Sequence, residues 1–120
     1  MAENQGRSKL VTVISALLTL AFLGAGGMKL SGAPEMIANF EKFGFGSGFM
    51  YFVGAAEVAG AIGLWLPRLA PVAAIGLAIL MAGGTAVHLI HDPFGEAIPP
   101  AVLFTLLAYV ASSRWGELRG

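Results

Sequence analysis

One stretch limits what this chain can fold into more than any other: residues 49–67, FMYFVGAAEVAGAIGLWLP. It is almost wholly apolar, about long enough to cross a bilayer, and carries one carboxylate, Glu57, near its middle. A charged side chain at the bilayer centre costs roughly 2.5–3.5 kcal/mol on insertion scales. Glu57 therefore requires a partner, a proton or a watery cavity, and a fold that turns it inward.

The rest of the chain agrees with a membrane setting. Of its 120 residues, 57% are hydrophobic and 12% charged, against about 25% charged in soluble domains. The mean hydropathy is +0.79. At this length a single domain is expected. The formal net charge is zero, and no basic stripe interleaves with aromatics, so nucleic acid is not an expected partner. There is no cysteine, which excludes thiol redox chemistry, disulfide exchange and thioether-linked haem.

Four apolar runs read as membrane spans, at about 10–30, 49–66, 69–89 and 97–113. The first follows a polar head containing Arg7 and Lys9. A basic start before an apolar run also fits a signal peptide, although the run is long and lacks a clean A-x-A end. Between the first two spans, Pro34 suits a first helical position and Glu35 a first turn. Met36, Ile37, Phe40 and Phe43 share one helical face, and Gly44 suits a C′ position. The segment 34–43 reads as a short interfacial helix, apolar face down, or as a loop packed on the bundle. Pro67 and Arg68 form a tight turn, and Asp92-Pro93 a second. Pro99 and Pro100 open the last span, where missing N–H groups cost little. Trp115 falls at the interface belt.

Lys and Arg set the orientation. Arg7, Lys9, Arg68, Arg114 and Arg119 fall on one side, Lys29 and Lys42 on the other. That asymmetry places both termini in the cytoplasm, with a bacterial inner membrane as the expected location. Short connections make the spans antiparallel neighbours, so the expected fold is an all-α integral membrane four-helix bundle. Ala55, Ala59 and Gly63, with Ala56 and Gly60 beside them, are candidates for close helix approach, as are Gly76, Gly83 and Gly84.

Glu57 lies roughly 12 Å below the outer end of its span at 1.5 Å per residue. Folding about Pro67-Arg68 sets it level with Ile79 or Leu80 on the third span. Lys29 and His88 stand at the outer ends of the first and third spans. Cβ bonds tilt toward a helix N-terminus, so both lean into the membrane while Glu57 leans outward. A Lys29–Glu57 pair is within reach. His88 needs a water or a ligand to bridge to Glu57. Thr85, one turn below His88, and Thr105, at the depth of Glu57 on the fourth span, are neutral hydrogen-bonding candidates. His88, His91 and Asp92 share a helical face, but the Asp-Pro turn and the distance of Glu57 make a metal site the weaker expectation. The bland alternative makes Glu57 a structural pin that fixes helix register.

Several motifs in order resemble the DoxX-like family of small four-span membrane proteins. They are GGMKLSG at 26–32, Met36 and Phe40 with Phe43-Gly44, GAAEVAGAIGLWLP at 54–67, GLAILMAGGTAVHL at 76–89, and the run from Pro99 to Leu103. The resemblance spans about residues 24–111. It implies a compact four-helix membrane fold with Lys29, Glu57 and His88 at the recurring polar positions. It also implies a setting among subunits of thiosulfate–quinone oxidoreductase and other membrane redox assemblies, or among chaperones and cargo receptors.

Three functions follow as expectations. The first is an accessory subunit of a membrane redox system that binds a lipophilic, quinone-like ligand, with Lys29, Glu57, Thr85, His88 and Thr105 as ligand-binding residues. The second is a cofactor-free enzyme of isomerase or cyclase type, with Glu57 and His88 as catalytic acid and base. The third is a structural or chaperone-like partner of another membrane protein or of a second copy of itself. The expected cofactor is at most a quinone, and no metal is expected.

Overall fold

The computed structural model describes residues 2–116, with side chains from Lys9 onward. Five α-helices follow in order: α1 (Ala2–Leu30), α2 (Pro34–Lys42), α3 (Ser47–Gly63), α4 (Ala70–His91) and α5 (Ile98–Ser113). A 3-10 turn, Phe94–Ala97, leads into α5. No strand occurs among the described residues. Arg119, counted in the charge asymmetry, lies outside them.

Three segments are long and apolar enough to cross a membrane: Lys9–Leu30, Ala70–His91 and Phe94–Ser113. With 17 residues, α3 rises about 25 Å, and apolar Leu64, Trp65 and Leu66 carry the crossing further. α2 is bent 114° from α3, so it runs across the bundle end rather than through it. The exterior carries many exposed large apolar side chains, among them Leu20, Ile79 and Ile90. Water would not tolerate so continuous an apolar surface, whereas lipid is its matching solvent.

Local signals explain the helix ends. Pro34 opens α2 and Glu35 sits in its first turn. At its end, Gly44 has φ +87°. The Gly44 N–H donates to Glu41 O and the Phe45 N–H to Phe40 O, a Schellman closure, with the Phe40 and Phe45 rings 6.3 Å apart. α1 closes the same way on Gly32, through Gly32 N–H to Lys29 O and Ala33 N–H to Met28 O. The α3–α4 turn holds Arg68 at φ 71°. Arg114 donates to Leu64 O at 2.7 Å and ties the end of α5 to that turn.

Along α3 and its C-cap, buried Met50, Gly54, Glu57, Ala61 and Leu64 follow a 4-3-4-3 spacing that keeps one seam inward, with Gly63 buried beside it. α1 packs along α3 and α4 along α5, and α3–α4 contacts join the two pairs. The dry core fills the half nearer the α3–α4 turn, where Leu18, Phe22, Ala61, Leu64, Leu77, Leu107 and Val110 meet.

The close approaches fall on two of the expected small residues, Gly60 and Gly63, and also on Gly26. A Cβ at Gly26 would stand 2.8 Å from Gly54 O and from Val58 Cγ2. One at Gly60 would meet Leu77 at 2.6 Å, and one at Gly63 would meet Ala73 at 2.9 Å. Ala55 and Ala59 are instead exposed, because 100° per residue turns them off the inward seam. Gly76 and Gly83 have nothing within 4 Å of a built Cβ, and Gly84 makes only ordinary contact.

Gly26→Ala should lower stability by about 1–3 kcal/mol, the cost of overpacking against rigid backbone. Gly24→Ala, whose Cβ meets nothing within 4 Å, should be neutral or slightly stabilising. Thermal melts in detergent followed by circular dichroism compare the two, and equal effects would refute the α1–α3 crossing described.

Candidate functional site

In the other half of the bundle α2 roofs a space bounded by the spanning helices. The result is a cavity of about 450 Å³ whose wall draws on all five helices. Most of that wall is apolar, with Phe22, Leu80 and Leu103 toward the core and Phe40, Phe43 and Phe49 toward α2 and α3. Four polar side chains interrupt it: Lys29, Asn39, Glu57 and His88.

Lys29 lies in the last turn of α1, where a cation also complements the helix dipole. Its Nζ stands 2.8 Å from Glu57 Oε1, with side chains 12% and 3% exposed. The contact depends on a missing side chain. A Cβ at Gly54 would lie 2.8 Å from Lys29 Cβ and 3.0 Å from Gly26 O. Only glycine at 54 lets the lysine stem pass down the α1–α3 groove to the carboxylate one turn below.

His88 reaches the cavity from the last turn of α4. Its Nδ1 is 2.6 Å from Asp92 Oδ2, and its ring meets Phe43 edge-on, centroids 5.3 Å apart at 84°. Asp92 caps α4 and also pairs with Lys42 of α2. Lys42 Nζ lies 5.2 Å above the Phe43 ring, a cation–π distance. Lys42, Phe43, His88 and Asp92 thus fasten α2 over the cavity. The Lys42 ammonium first, and the His88 hydrogen bond second, hold the Asp92 carboxyl below its ordinary 3.8.

Lys29 and Glu57 meet, as the side-chain tilts predict, and His88 lines the same cavity. The two threonines do not. Thr85 Oγ1 donates to Met81 O at 2.7 Å and Thr105 Oγ1 to Ala101 O at 3.0 Å. Neither lines the cavity. A hydroxyl in an apolar helix satisfies itself most cheaply on the carbonyl four residues back. His91 turns to Phe43, centroids 5.5 Å apart, rather than joining His88 and Asp92. No group of three or more His, Asp or Glu side chains among the described residues is arranged to hold a metal. Sequence reasoning missed Asn39 as a wall residue and Asp92 as the partner of His88. The signal for Asn39 was available: Met36, Asn39, Phe40 and Phe43 follow an i, i+3, i+4, i+7 pattern.

An apolar exterior, membrane-length helices and a sheltered ion pair define a small multi-pass integral membrane protein with an internal polar site. The DoxX-like family matches residues 13–110, and the chain belongs to that family. No curated protein and no solved structure matches it.

Two outcomes test this site. Lys29→Met should cost about 3–5 kcal/mol, because it leaves a buried carboxylate uncompensated. Adding Glu57→Leu should recover most of that loss, and equilibrium unfolding in mixed micelles that shows simple additivity would contradict the pairing. Asp92, with its depressed value, contributes stability above the ordinary carboxylate range and loses it as pH falls through the folded value. The α2 fastening should therefore hold from about pH 8 to pH 5 and loosen only below about pH 4. A spin label on Ala38→Cys, the only thiol in such a variant, reports it. Loosening between about pH 8 and pH 6 would refute the sign.

Proposed function

We propose that this protein binds a lipophilic, quinone-like molecule in its internal cavity and serves as an accessory subunit of a membrane redox system. One observation carries the reading: a cavity of about 450 Å³ with Lys29, Glu57 and His88 on a largely apolar wall. Small-molecule sites combine that kind of wall with a few fixed polar groups, in volumes of about 300–1,000 Å³. The aromatic rings of Phe40, Phe43 and Phe49 offer flat apolar surface to a ring system. The polar residues offer hydrogen bonds to its oxygen substituents.

The same volume favours a second reading. It admits a hydrophobic substrate, with Glu57 and His88 as acid and base in a cofactor-free isomerisation or cyclisation. His88, backed by Asp92, has the orientation of a proton-transfer group.

The surroundings follow from the same reading. Lys9, Arg68 and Arg114 lie toward the core end of the bundle, and Lys29 and Lys42 toward the cavity end. That asymmetry supports cytoplasmic termini in a bacterial inner membrane, with the cavity in the outer half. The partner is another membrane protein or a second copy of the chain.

The test fills the cavity. A Cβ at Gly84 makes ordinary 3.8 Å contact with Pro100, and both residues line the wall. Gly84→Phe should preserve helicity while removing a ring-containing lipid that co-purifies with the wild type in mild detergent. Organic extraction and mass spectrometry compare them. Identical extracts, or a wild type that carries phospholipid alone, would overturn the proposal.

A further inference from the structure

The cavity has a side edge as well as a roof. Phe49 of α3 and Ile79 of α4 line it, yet they are 46% and 67% exposed. Gly83, one turn along α4 from Ile79, also lines it and is exposed. A Cβ there would meet nothing within 4 Å. Wall residues so little covered face outward as well as inward. The cavity therefore opens sideways, between α3 and α4, onto the apolar exterior.

That edge meets a second space. A groove of about 700 Å³ runs along the outside of α4 and α5, past Ala78, Ala82, Phe104, Ala108 and Ala111 to Trp115. Ile79 belongs to both walls, and Ala82 of the groove is the chain neighbour of Gly83 of the cavity. Residues three and four apart are neighbours on a helix surface, so 79, 82 and 83 form one patch. Across it, positions 82 and 83 raise only a methyl group and a hydrogen between the two spaces. The groove wall is alkyl and aromatic except at its far end. There the Ser112 hydroxyl donates to Tyr109 O at 3.1 Å, and Trp115 carries an indole N–H. From Phe104 to Ser112 the groove extends about 12 Å along the bundle at 1.5 Å per residue.

The remaining boundaries suit an apolar chain less well. The floor is the dry core, with Leu77 and Leu107 at most 1% exposed. α1 and α3 run almost backbone to backbone at Gly26 and Gly54. The roof, α2, carries exposed Glu35, Glu41 and Lys42, and a chain leaving past it would meet charge and water. Exposed Ala21 and Pro99 mark a further edge, on α1 and α5, but neither lines the groove.

We propose that the occupant is a lipid with a polar ring and one long alkyl or isoprenoid chain. The ring sits in the cavity. The chain leaves between α3 and α4, crosses α4 at Ala82 and Gly83, and lies in the α4–α5 groove. This rests on the reading of the cavity as a quinone-like site, and adds the chain's seat and a route of entry from the bilayer. Lipid tails are as apolar as the groove, so the hydrophobic effect does not draw a chain into it. The ring supplies the preference, because once bound it holds its own chain at high effective concentration beside the groove.

The experiment uses the full chain in phosphatidylcholine vesicles and two photoreactive decylbenzoquinones. One carries a diazirine on the chain carbon next to the ring, the other on the last chain carbon. Labelled residues are read by proteolysis and mass spectrometry. The ring-proximal probe should mark the cavity wall, at Phe40, Phe43 or Leu103, and the chain-end probe the groove, at Ala78, Ala108, Ala111 or Trp115. Excess ethylbenzoquinone, which has the ring without the chain, should remove both sets of labels. Gly83→Trp should lose the groove labels. Chain-end labels spread over lipid-facing Leu20 and Phe52, or gathered at Ala21, overturn the inference. So do groove labels that survive ethylbenzoquinone or Gly83→Trp. In each of these cases a ring-proximal probe that still marks the wall leaves the quinone-like reading standing. A ring-proximal probe that marks no wall residue overturns both.

Discussion

The Lys29–Glu57 ion pair is the constraint that the rest of the structure serves. A carboxylate on a spanning helix must be sheltered, and the cation that shelters it comes from the opposite end of a neighbouring helix. Bringing them to 2.8 Å requires α1 and α3 to run almost backbone to backbone. That closeness is possible because residues 26 and 54 carry no side chain. The ion pair in turn fixes the register of the crossing: sliding α1 by a turn against α3 would separate the charges by about 5 Å and leave Glu57 uncompensated in lipid. The polar contact and the steric fit therefore specify the same arrangement.

A second set of charges does a different job at the bundle end. Lys42, Asp92 and His88 join α2 to α4, two elements whose connection is otherwise made by side chains such as Phe43. The Schellman closure at Gly44 turns the chain sharply enough for α2 to lie across the opening while α3 descends. The half of the bundle nearer the α3–α4 turn is packed and apolar, and the half beneath α2 encloses space. Charge at the boundary between those halves is what separates this fold from a simple lipid-embedded bundle.

Much of this was legible in the sequence. Long apolar runs give the spans, since a bilayer admits few alternatives to helices. Pro34 and Gly44 mark the ends of α2 by backbone geometry alone. Helix rise and Cβ tilt were enough to bring Lys29 to Glu57. What was not legible depends on rotation and on competition. Ala55 and Ala59 looked like packing residues by size, but the helix turns them outward. Thr85 and Thr105 looked like partners by depth, but their own helix carbonyls capture them. Asp92 looked like a turn residue or part of a weak metal set, and its hydrogen bond to His88 depends on α4 running on through His91 so that Asp92 caps it.

The central claim is that Lys29 and Glu57 meet inside the bundle in a lipid bilayer. Solid-state NMR can measure the dipolar coupling between ¹⁵Nζ of Lys29 and ¹³Cδ of Glu57 in reconstituted protein, with each signal assigned by the matching single substitution. The account predicts a coupling that corresponds to a separation within about 4 Å. A vanishing coupling, with Glu57 reporting a lipid-facing or lysine-free environment, would contradict it.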